Sequence, residues 1–216
     1  MSEIRRGRAP RHTLDRATVA AAALDLMDTA GAAALTIRAL ANRLGVAPMA
    51  LYNHAATKED ILDAARDHGL ARLPAADPGD GPWWDRIRAI NLAFHRALRA
   101  HPSLVGLLVA RPLAGQAPMG AAEAQLRVLR DAGFDPDSAA RAHLALLHYA
   151  IGAAAWTAPR VESADASRAA LQRLPADRYP TLSALAAPLA RASHDADQYG
   201  YGLDLLIDAL RARHQA

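Results

Sequence analysis

The chain has 216 residues, a formal net charge of +3 and a composition that is 52% hydrophobic but only 5% aromatic. It contains no cysteine, which excludes disulfides and thiolate metal sites. No apolar run has the length and flanking residues of a signal peptide or a membrane span. We therefore expect a cytoplasmic protein with no membrane partner, no metal and no other cofactor.

Alanine is the most frequent apolar residue, and no segment alternates apolar and polar residues with the β-branched enrichment of a strand. Because alanine is the best helix former, the composition predicts an all-α protein. Arg5, Arg6, Arg8 and Arg11 make residues 1–12 a basic, flexible arm that suits a polyanion. A merely solvated tail would have the same composition, so the charge run leaves both interpretations open.

The first part of the chain contains signals for four helices, spanning about 13–30, 37–44, 48–54 and 58–73. Thr36 is a good N-cap for the second helix, and Gly45 suits the left-handed position that ends it. Pro48 is tolerated in the first turn of the third helix. Thr57 and Asp60 have the spacing of a capping box, which predicts the start of the fourth helix.

Residues 74–82 (PAADPGDGP) are rich in proline, glycine and aspartate, and this predicts a linker. After it, helices are predicted over about 84–100, 103–110, 119–132, 136–157 and 200–213. Residues 159–198 are expected to be irregular, with one or two short helices, because proline recurs at positions 175, 180 and 188. The predicted organisation is an arm 1–12, a helix-turn-helix domain 13–58, a connecting helix 59–73 and a larger helical domain 83–216.

A glycine turn between two short helices is typical of the helix-turn-helix. Gly45 permits the turn, and Val46 and Leu51 are expected to fill the angle between the second and third helices. The third helix then presents its other face, which has the dimensions to enter the major groove of DNA. Tyr52 and His54 on that segment suit phosphate and sugar contacts, although both could instead pack into a small core.

Residues 35–46 (LTIRALANRLGV), followed by Leu51-Tyr52, His54 and Lys58, resemble the DNA-binding domain of the TetR family of repressors. The resemblance implies a homodimer with two DNA-binding heads on a helical core that binds a small molecule and forms the dimer. The implied function is a transcriptional regulator, expected to be a repressor, that binds palindromic operator DNA and is released by a small-molecule effector.

By the resemblance, base reading falls on Arg38 and a phosphate contact on Lys58. Thr57 adds the amide groups at the start of the fourth helix, which suit a backbone phosphate. The recognition-helix contacts fall on Pro48, Met49, Ala50, Tyr52, Asn53 and His54. Pro48 and Met49 stand where polar residues are more usual, so base contact at those positions is expected to be apolar, for example with a thymine methyl group.

The larger domain resembles the core of tetracycline-repressor-type members. The resemblance places ligand contacts on Asn91, His101 and Gln125. Further residues expected to line the same cavity are Phe94, Leu108, Arg111, His148 and Trp156. Each histidine could instead be a hydrogen-bonded core or surface residue. Because Trp156 and Pro74 replace a carboxylate and a histidine of that group, a metal-chelated tetracycline is not the expected ligand.

The resemblance also places the dimer interface on the last helix and on the helix that ends near residue 157. On the last helix, apolar residues recur at i, i+3, i+4 and i+7, which gives one stripe. The residues expected in the interface are Ala153, Ala154, Leu203, Leu206, Ile207 and Leu210. A core within one chain would show the same stripe, so the pattern alone leaves both possibilities open.

Two other functions compete with this interpretation. An enzyme is disfavoured because the chain has no H-E-x-x-H, no phosphate-binding glycine loop and no nucleophile elbow. His143 and His148 are about 140° apart around a helix of 3.6 residues per turn, which argues against a shared metal. The second alternative is a dimeric DNA-binding regulator without a small-molecule ligand, and a large cavity in the core would argue against it.

Overall fold

The computed structural model describes residues 14–71, 73, 79–110, 115–156 and 163–214. Every regular element in these ranges is helical, so the all-α prediction is confirmed. The chain divides into two compact units, Met1–Gly69 and Leu70–Ala216. The predicted basic arm 1–12 and most of the predicted linker fall outside the described ranges. Among the helices that are described, none combines the length and apolarity needed to cross a membrane.

The first unit contains helices whose ends are set by local side-chain caps. They are α1 (Arg16–Ala30), α2 (Ile37–Leu44), α3 (Pro48–Leu51) and α4 (Lys58–Leu70). Helix α1 begins later than predicted because the Asp15 carboxylate accepts a hydrogen bond from the Thr18 N–H over 2.7 Å. The predicted cap on α2 is confirmed, since Thr36 Oγ1 accepts from the Ala39 N–H over 3.1 Å.

The core of the first unit is built from the inner faces of its helices. Its buried apolar side chains include Val19, Ala20, Ala23, Leu24, Met27, Leu35, Leu40, Ala41, Leu51, Ile61 and Ala65. Helix α2 packs on both α1 and α3. At the surface, Arg43 of α2 forms an ion pair with Asp25 of α1. This small core fixes the orientation of α3, which has only four residues and could not be a stable helix alone.

The second unit contains the remaining eight helices described. They are α5 (Trp83–Ala100), α6 (Ser103–Ala110), α7 (Gln116–Asp131), α8 (Pro136–Trp156), α9 (Ala164–Gln172), α10 (Pro180–Ala184), α11 (Ala186–His194) and α12 (Gln198–His214). Three of them, α9 to α11, lie where the sequence predicted largely irregular structure, and that prediction was wrong. Pro180 and Pro188 fall in the first turn of α10 and α11, where no backbone N–H is needed and proline is tolerated.

Helices α5, α7, α8 and α12 enclose the core of the second unit. Helix α12 approaches α8 closely at Gly202, where Tyr149 occupies the space that a side chain would need. Leu203 and Ile207 of α12 are 0% and 5% exposed within their own chain. Their assignment to a dimer interface was therefore wrong, because the stripe that they form faces the core of the same chain. Ala154 is buried as well, whereas Leu206, Leu210 and Ala153 are half-buried.

Candidate DNA-binding surface and ligand cavity

The turn between α2 and α3 is closed by backbone hydrogen bonds. Gly45 has φ of 67° and ψ of 31°, a left-handed conformation that is costly for other residues. Its N–H and that of Val46 donate to carbonyls of the last turn of α2, the latter to Ala41 O over 3.0 Å. Pro48 then occupies the first turn of α3, as predicted. The chain therefore changes direction within three residues.

The segment that follows the turn exposes the predicted recognition side chains. Met49 is 73% exposed, and Pro48, Tyr52 and Asn53 are also exposed. Ala50 and His54 are half-buried, whereas Leu51 is buried in the core of the unit. Helix α3 ends at Leu51 rather than near His54, so Tyr52, Asn53 and His54 continue as a turn. Met49 is therefore a large, exposed apolar side chain at a position where base contact is predicted to be apolar.

The start of α4 carries the predicted capping box. The Thr57 N–H donates to Asp60 Oδ2 over 2.9 Å, and the Asp60 N–H donates to Thr57 Oγ1 over 3.1 Å. Hydrogen bonding to Thr57 lowers the pKa of the Asp60 carboxyl, first through the Thr57 side chain and then through the Thr57 backbone N–H. Lys58 is the first residue of α4 and is exposed. Arg38, near the start of α2, is exposed too, so both cations predicted to contact DNA are accessible.

The second unit contains a cavity of about 480 Å³, which is within the usual range for small-molecule sites. Helices α5, α6, α7 and α8 form most of its wall. Its lining residues are Leu73, Ile90, Asn91, Phe94, Leu108, Val109, Pro118, Ala121, Ala122, Gln125, His143, Leu144, Leu147, His148, Ile151 and Gly152. Hydrocarbon side chains dominate this wall, and two amides and two imidazoles supply its polar groups.

The cavity brings together five of the eight predicted ligand residues: Asn91, Phe94, Leu108, Gln125 and His148. His101 and Trp156 are not among the described residues that line the cavity. His101 lies at the end of α5, where its N–H donates to Ala97 O. Trp156 is the last residue of α8 and is 70% exposed. Arg111 falls outside the described residues.

On α8, sequence reasoning predicted His148 as a cavity residue but missed the other residues of that helix that line the wall. His143, Leu147 and Ile151 recur at intervals of four residues and line the wall, as do Leu144 and Gly152. This i, i+4, i+8 pattern was present in the sequence. The sequence analysis weighs His143 only as a possible metal ligand together with His148, and it does not predict His143 in the cavity. The cavity wraps around α8, so both rings reach it although they lie on different sides of the helix.

The polar groups of the wall are held in place by hydrogen bonds. His143 Nδ1 lies 2.8 Å from Gln125 Oε1. Burial lowers the pKa of His143, which favours a neutral imidazole. Asn91 is buried, and its side-chain amide donates to Ile87 O over 2.8 Å. Gln125 is only 5% exposed, yet its Nε2 atom has no hydrogen-bond partner among the described residues. The wall therefore contains one buried amide nitrogen without a hydrogen-bond partner among the described residues.

Comparison with family models covers both units. Residues 19–65 match the model described as bacterial regulatory proteins, tetR family, and residues 73–214 match that of the tetracyclin repressor-like C-terminal domain. The chain belongs to the TetR family. The predicted family and the two-part architecture are thereby confirmed, and the helix-turn-helix and the cavity lie in the residues that the two models match.

Individual relatives and solved structures show how far the similarity extends. The chain is 32% identical over 199 residues to the tetracycline repressor protein class A from transposon 1721 of Escherichia coli, across 91% of this chain and 90% of that repressor. It is 37% identical over 137 residues to an HTH-type transcriptional regulator of Saccharopolyspora erythraea, across 62% of this chain but only 57% of that relative. The structure of the TetR family protein ActR from Streptomyces coelicolor in complex with actinorhodin superposes with a TM-score of 0.80 at 27% identity, across 94% and 100% of the two chains.

These relatives are transcriptional regulators and repressors, so this TetR-family chain is a DNA-binding regulator rather than an enzyme.

A stack of aromatic rings lies beside the cavity in the second unit. The rings of His95 and Tyr199 are parallel, with centroids 3.7 Å apart, and Tyr149 stacks on Tyr199. The Tyr199 hydroxyl donates to Asn91 O over 3.2 Å. The cavity wall on α5 is thereby bonded directly to α12.

Proposed function

We propose that the chain is a homodimeric repressor that binds a near-palindromic operator and is released from it by a small-molecule effector. The observation that carries this proposal is the presence, in one TetR-family chain, of an exposed recognition segment and a cavity of about 480 Å³. The first suits DNA and the second suits a small organic ligand. A regulator controlled only by its abundance or by a protein partner would not need such a cavity.

The DNA-binding part of the proposal assigns different roles to exposed residues. Helix α3 enters the major groove, where Pro48 and Met49 contact base edges through apolar surface. Arg38 reads a guanine, because its guanidinium can bond two acceptors of that base at once. Lys58 contacts phosphate at the start of α4, where the helix dipole also favours an anion. Tyr52, Asn53, His54 and Thr57 supply polar groups to the DNA backbone.

The dimer part of the proposal uses the outward face of α12. Tyr201 and Leu205 are 64% and 56% exposed in the single chain, and they lie one turn apart. Exposed apolar side chains at this spacing suit a helix that packs on a second copy. Leu206 and Leu210 border this face. A symmetric dimer presents its two recognition helices to successive major grooves, about 34–36 Å apart along the operator.

The effector part of the proposal assigns the cavity to a ligand that binds the DNA-free protein more tightly than the DNA-bound protein. Such a ligand lowers operator affinity by its differential affinity for the two states, which is typically 1–3 kcal/mol. The ActR complex supports this part, because that relative holds actinorhodin. A regulator without a ligand is the second candidate, and it would keep the same operator affinity whatever occupied the cavity.

The roles of the two cations can be separated by substitution. Arg38→Ala is expected to reduce binding to the matched operator by about 1–3 kcal/mol while leaving binding to scrambled DNA nearly unchanged. Lys58→Ala is expected to weaken both in similar proportion and to flatten the salt dependence, because a phosphate contact carries no sequence information. Equilibrium binding of both variants to both duplexes at two salt concentrations measures this. Equal effects of the two substitutions on both duplexes would contradict the assignment.

A further inference from the structure

Lysine occurs only once in this chain, at position 58. Of its 25 lysine and arginine residues, all the others are arginines. The chain therefore has a single side-chain amine, and this amine lies where the proposed function places a DNA phosphate. A reagent that acts on amines and spares guanidinium groups would change one side chain of this protein.

Affinity for phosphate does not by itself explain an ammonium group at this position. A guanidinium group can donate two parallel hydrogen bonds to a phosphate, whereas an ammonium group binds it as a point charge. The ion pairs of the first unit also use arginine, as in Arg43 with Asp25 and Arg66 with Asp63. Lysine differs because acylation of its amine removes the charge, whereas arginine keeps its charge.

The structure exposes this amine at the start of α4. Lys58 lies between the two residues of the capping box, whose hydrogen bonds hold the backbone of that turn. Its side chain is exposed, and none of the ion pairs among the described residues involves it. A cation in the first turn does not stabilise a helix, because the positive end of the dipole is there. Loss of this charge should therefore leave the head folded.

We propose that acylation of Lys58 by an acyl phosphate is a second, covalent control of DNA binding. The neutral amine attacks the acyl carbon, so that an amide bond forms between Nζ and that carbon while the bond from the carbon to the phosphate oxygen breaks. Inorganic phosphate leaves, and the nitrogen loses a proton to water. The amide product is uncharged and cannot neutralise a DNA phosphate. This inference rests on the proposed function, because it requires Lys58 to contact DNA.

An acyl phosphate suits this surface because its leaving group is an anion. Arg16 and Arg38 are exposed in the same unit, and their charge attracts an anionic donor as it attracts DNA. Operator DNA that contacts Lys58 would cover the amine. Acylation is therefore expected on the DNA-free protein, where it would prevent a return to the operator.

Acetyl phosphate is the probe, applied to the full chain with and without operator duplex. Peptide mass mapping measures the acetylated fraction at position 58, and equilibrium binding after removal of the reagent measures operator affinity. We expect acetylation to lower the affinity by at least about tenfold, because a dimer loses two charge-assisted contacts. The slope of log affinity against log salt should become shallower by about two, from roughly 0.9 for each lost phosphate contact. Operator duplex should protect Lys58 from the reagent.

Two variants locate the effect. Lys58→Arg keeps a cation but has no side-chain amine, so treated and untreated samples of this variant should bind operator equally. Lys58→Arg combined with Arg127→Lys moves the single amine to an exposed position on α7, in the second unit. Acetylation at position 127 should leave operator affinity equal to that of the untreated double variant.

The proposal is overturned if acetyl phosphate leaves Lys58 unmodified, if acetylated and untreated chains bind operator equally, or if treatment weakens the Lys58→Arg variant as much as the unmodified chain. Sequence-specific DNA binding by the untreated chain keeps these outcomes separate from the fate of the proposed function. If such binding is present and acetylation has no effect, only the covalent control is rejected. Sequence-blind binding by the untreated chain would reject the regulator itself.

Discussion

Replacement of Gly202 by alanine should destabilise the second unit, because α12 meets Tyr149 of α8 at this residue. An ideal Cβ at Gly202 would lie 2.7 Å from Tyr149 Cζ and closer still to the hydroxyl oxygen. Real Cβ atoms do not occur at such separations, so the ring must move. The hydroxyl that must shift now donates to Tyr199 O over 3.1 Å. Gly202→Ala therefore both overpacks the helix contact and disturbs a hydrogen bond.

The expected change in the free energy of unfolding is the sum of two opposing effects. Overpacking of a well-packed core costs about 1–3 kcal/mol, whereas alanine in place of glycine within a helix gains roughly 0.5–1 kcal/mol. The two effects combine to a net loss of about 1 kcal/mol, and at most roughly 2.5 kcal/mol, in the free energy of unfolding. For a chain of this size, each kcal/mol lost from the free energy of unfolding lowers Tm by roughly 2–4 °C.

Urea and thermal unfolding at one fixed protein concentration measure the loss, because the stability of the proposed dimer would depend on protein concentration. Gly200→Ala is the matched control: it lies on the same helix, and an added Cβ would meet only Arg88 Nη2 at an ordinary 3.7 Å. Tyr149→Phe removes the closest clashing atom, so the double variant should lose less than the sum of the single losses. A Gly202→Ala variant as stable as Gly200→Ala would refute the close approach.

Three further outcomes are expected. Thr57→Ala should lower the free energy of unfolding by about 1 kcal/mol, since it removes one half of the capping box. Thr57→Ser keeps a hydroxyl and should restore most of this loss. Urea unfolding measures both variants. Burial, and after it the charge of Arg99, lowers the pKa of His95 to about 4. Between pH 6.5 and 4 the unfolded chain therefore binds more protons than the folded chain, so the free energy of unfolding falls as the pH drops. His95→Phe keeps the ring and should flatten that dependence in unfolding curves taken across this pH range; an unchanged slope would show that another group causes it. Finally, Leu205→Asp should convert the dimer to monomer in analytical ultracentrifugation, whereas a dimer that persists would reject the outward face of α12 as the interface.

The features that sequence reasoning predicted well are set by neighbours in the chain. Thr36 caps a helix through an N–H three residues away, and Gly45 ends one through carbonyls of the preceding turn. The capping box of Thr57 and Asp60 is equally local. Such interactions depend only on residue type and spacing, so they can be identified without knowledge of the tertiary structure. The TetR-like motif combines several of them, which explains why the DNA-binding head was anticipated in detail.

The features that sequence reasoning missed depend on which surfaces meet. The stripe that contains Leu203 and Ile207 is apolar, but its period does not say whether the same chain or a second copy covers it. The outward residues Tyr201 and Leu205 were overlooked for that reason. Likewise, His143 became a candidate ligand residue only when α7 placed Gln125 within 2.8 Å of it. Such pairings across helices are not encoded in any local spacing.

Selection of bound sequences from a random pool of double-stranded DNA tests the central claim most directly. The affinity of the selected duplex is then compared with that of a scrambled duplex at two salt concentrations. We expect a near-palindromic sequence, bound by the dimer many-fold more tightly than the scrambled duplex, with an affinity that falls as salt rises. Weak binding without sequence preference, in protein shown to be free of bound ligand, would contradict the proposal that this chain is an operator-binding repressor.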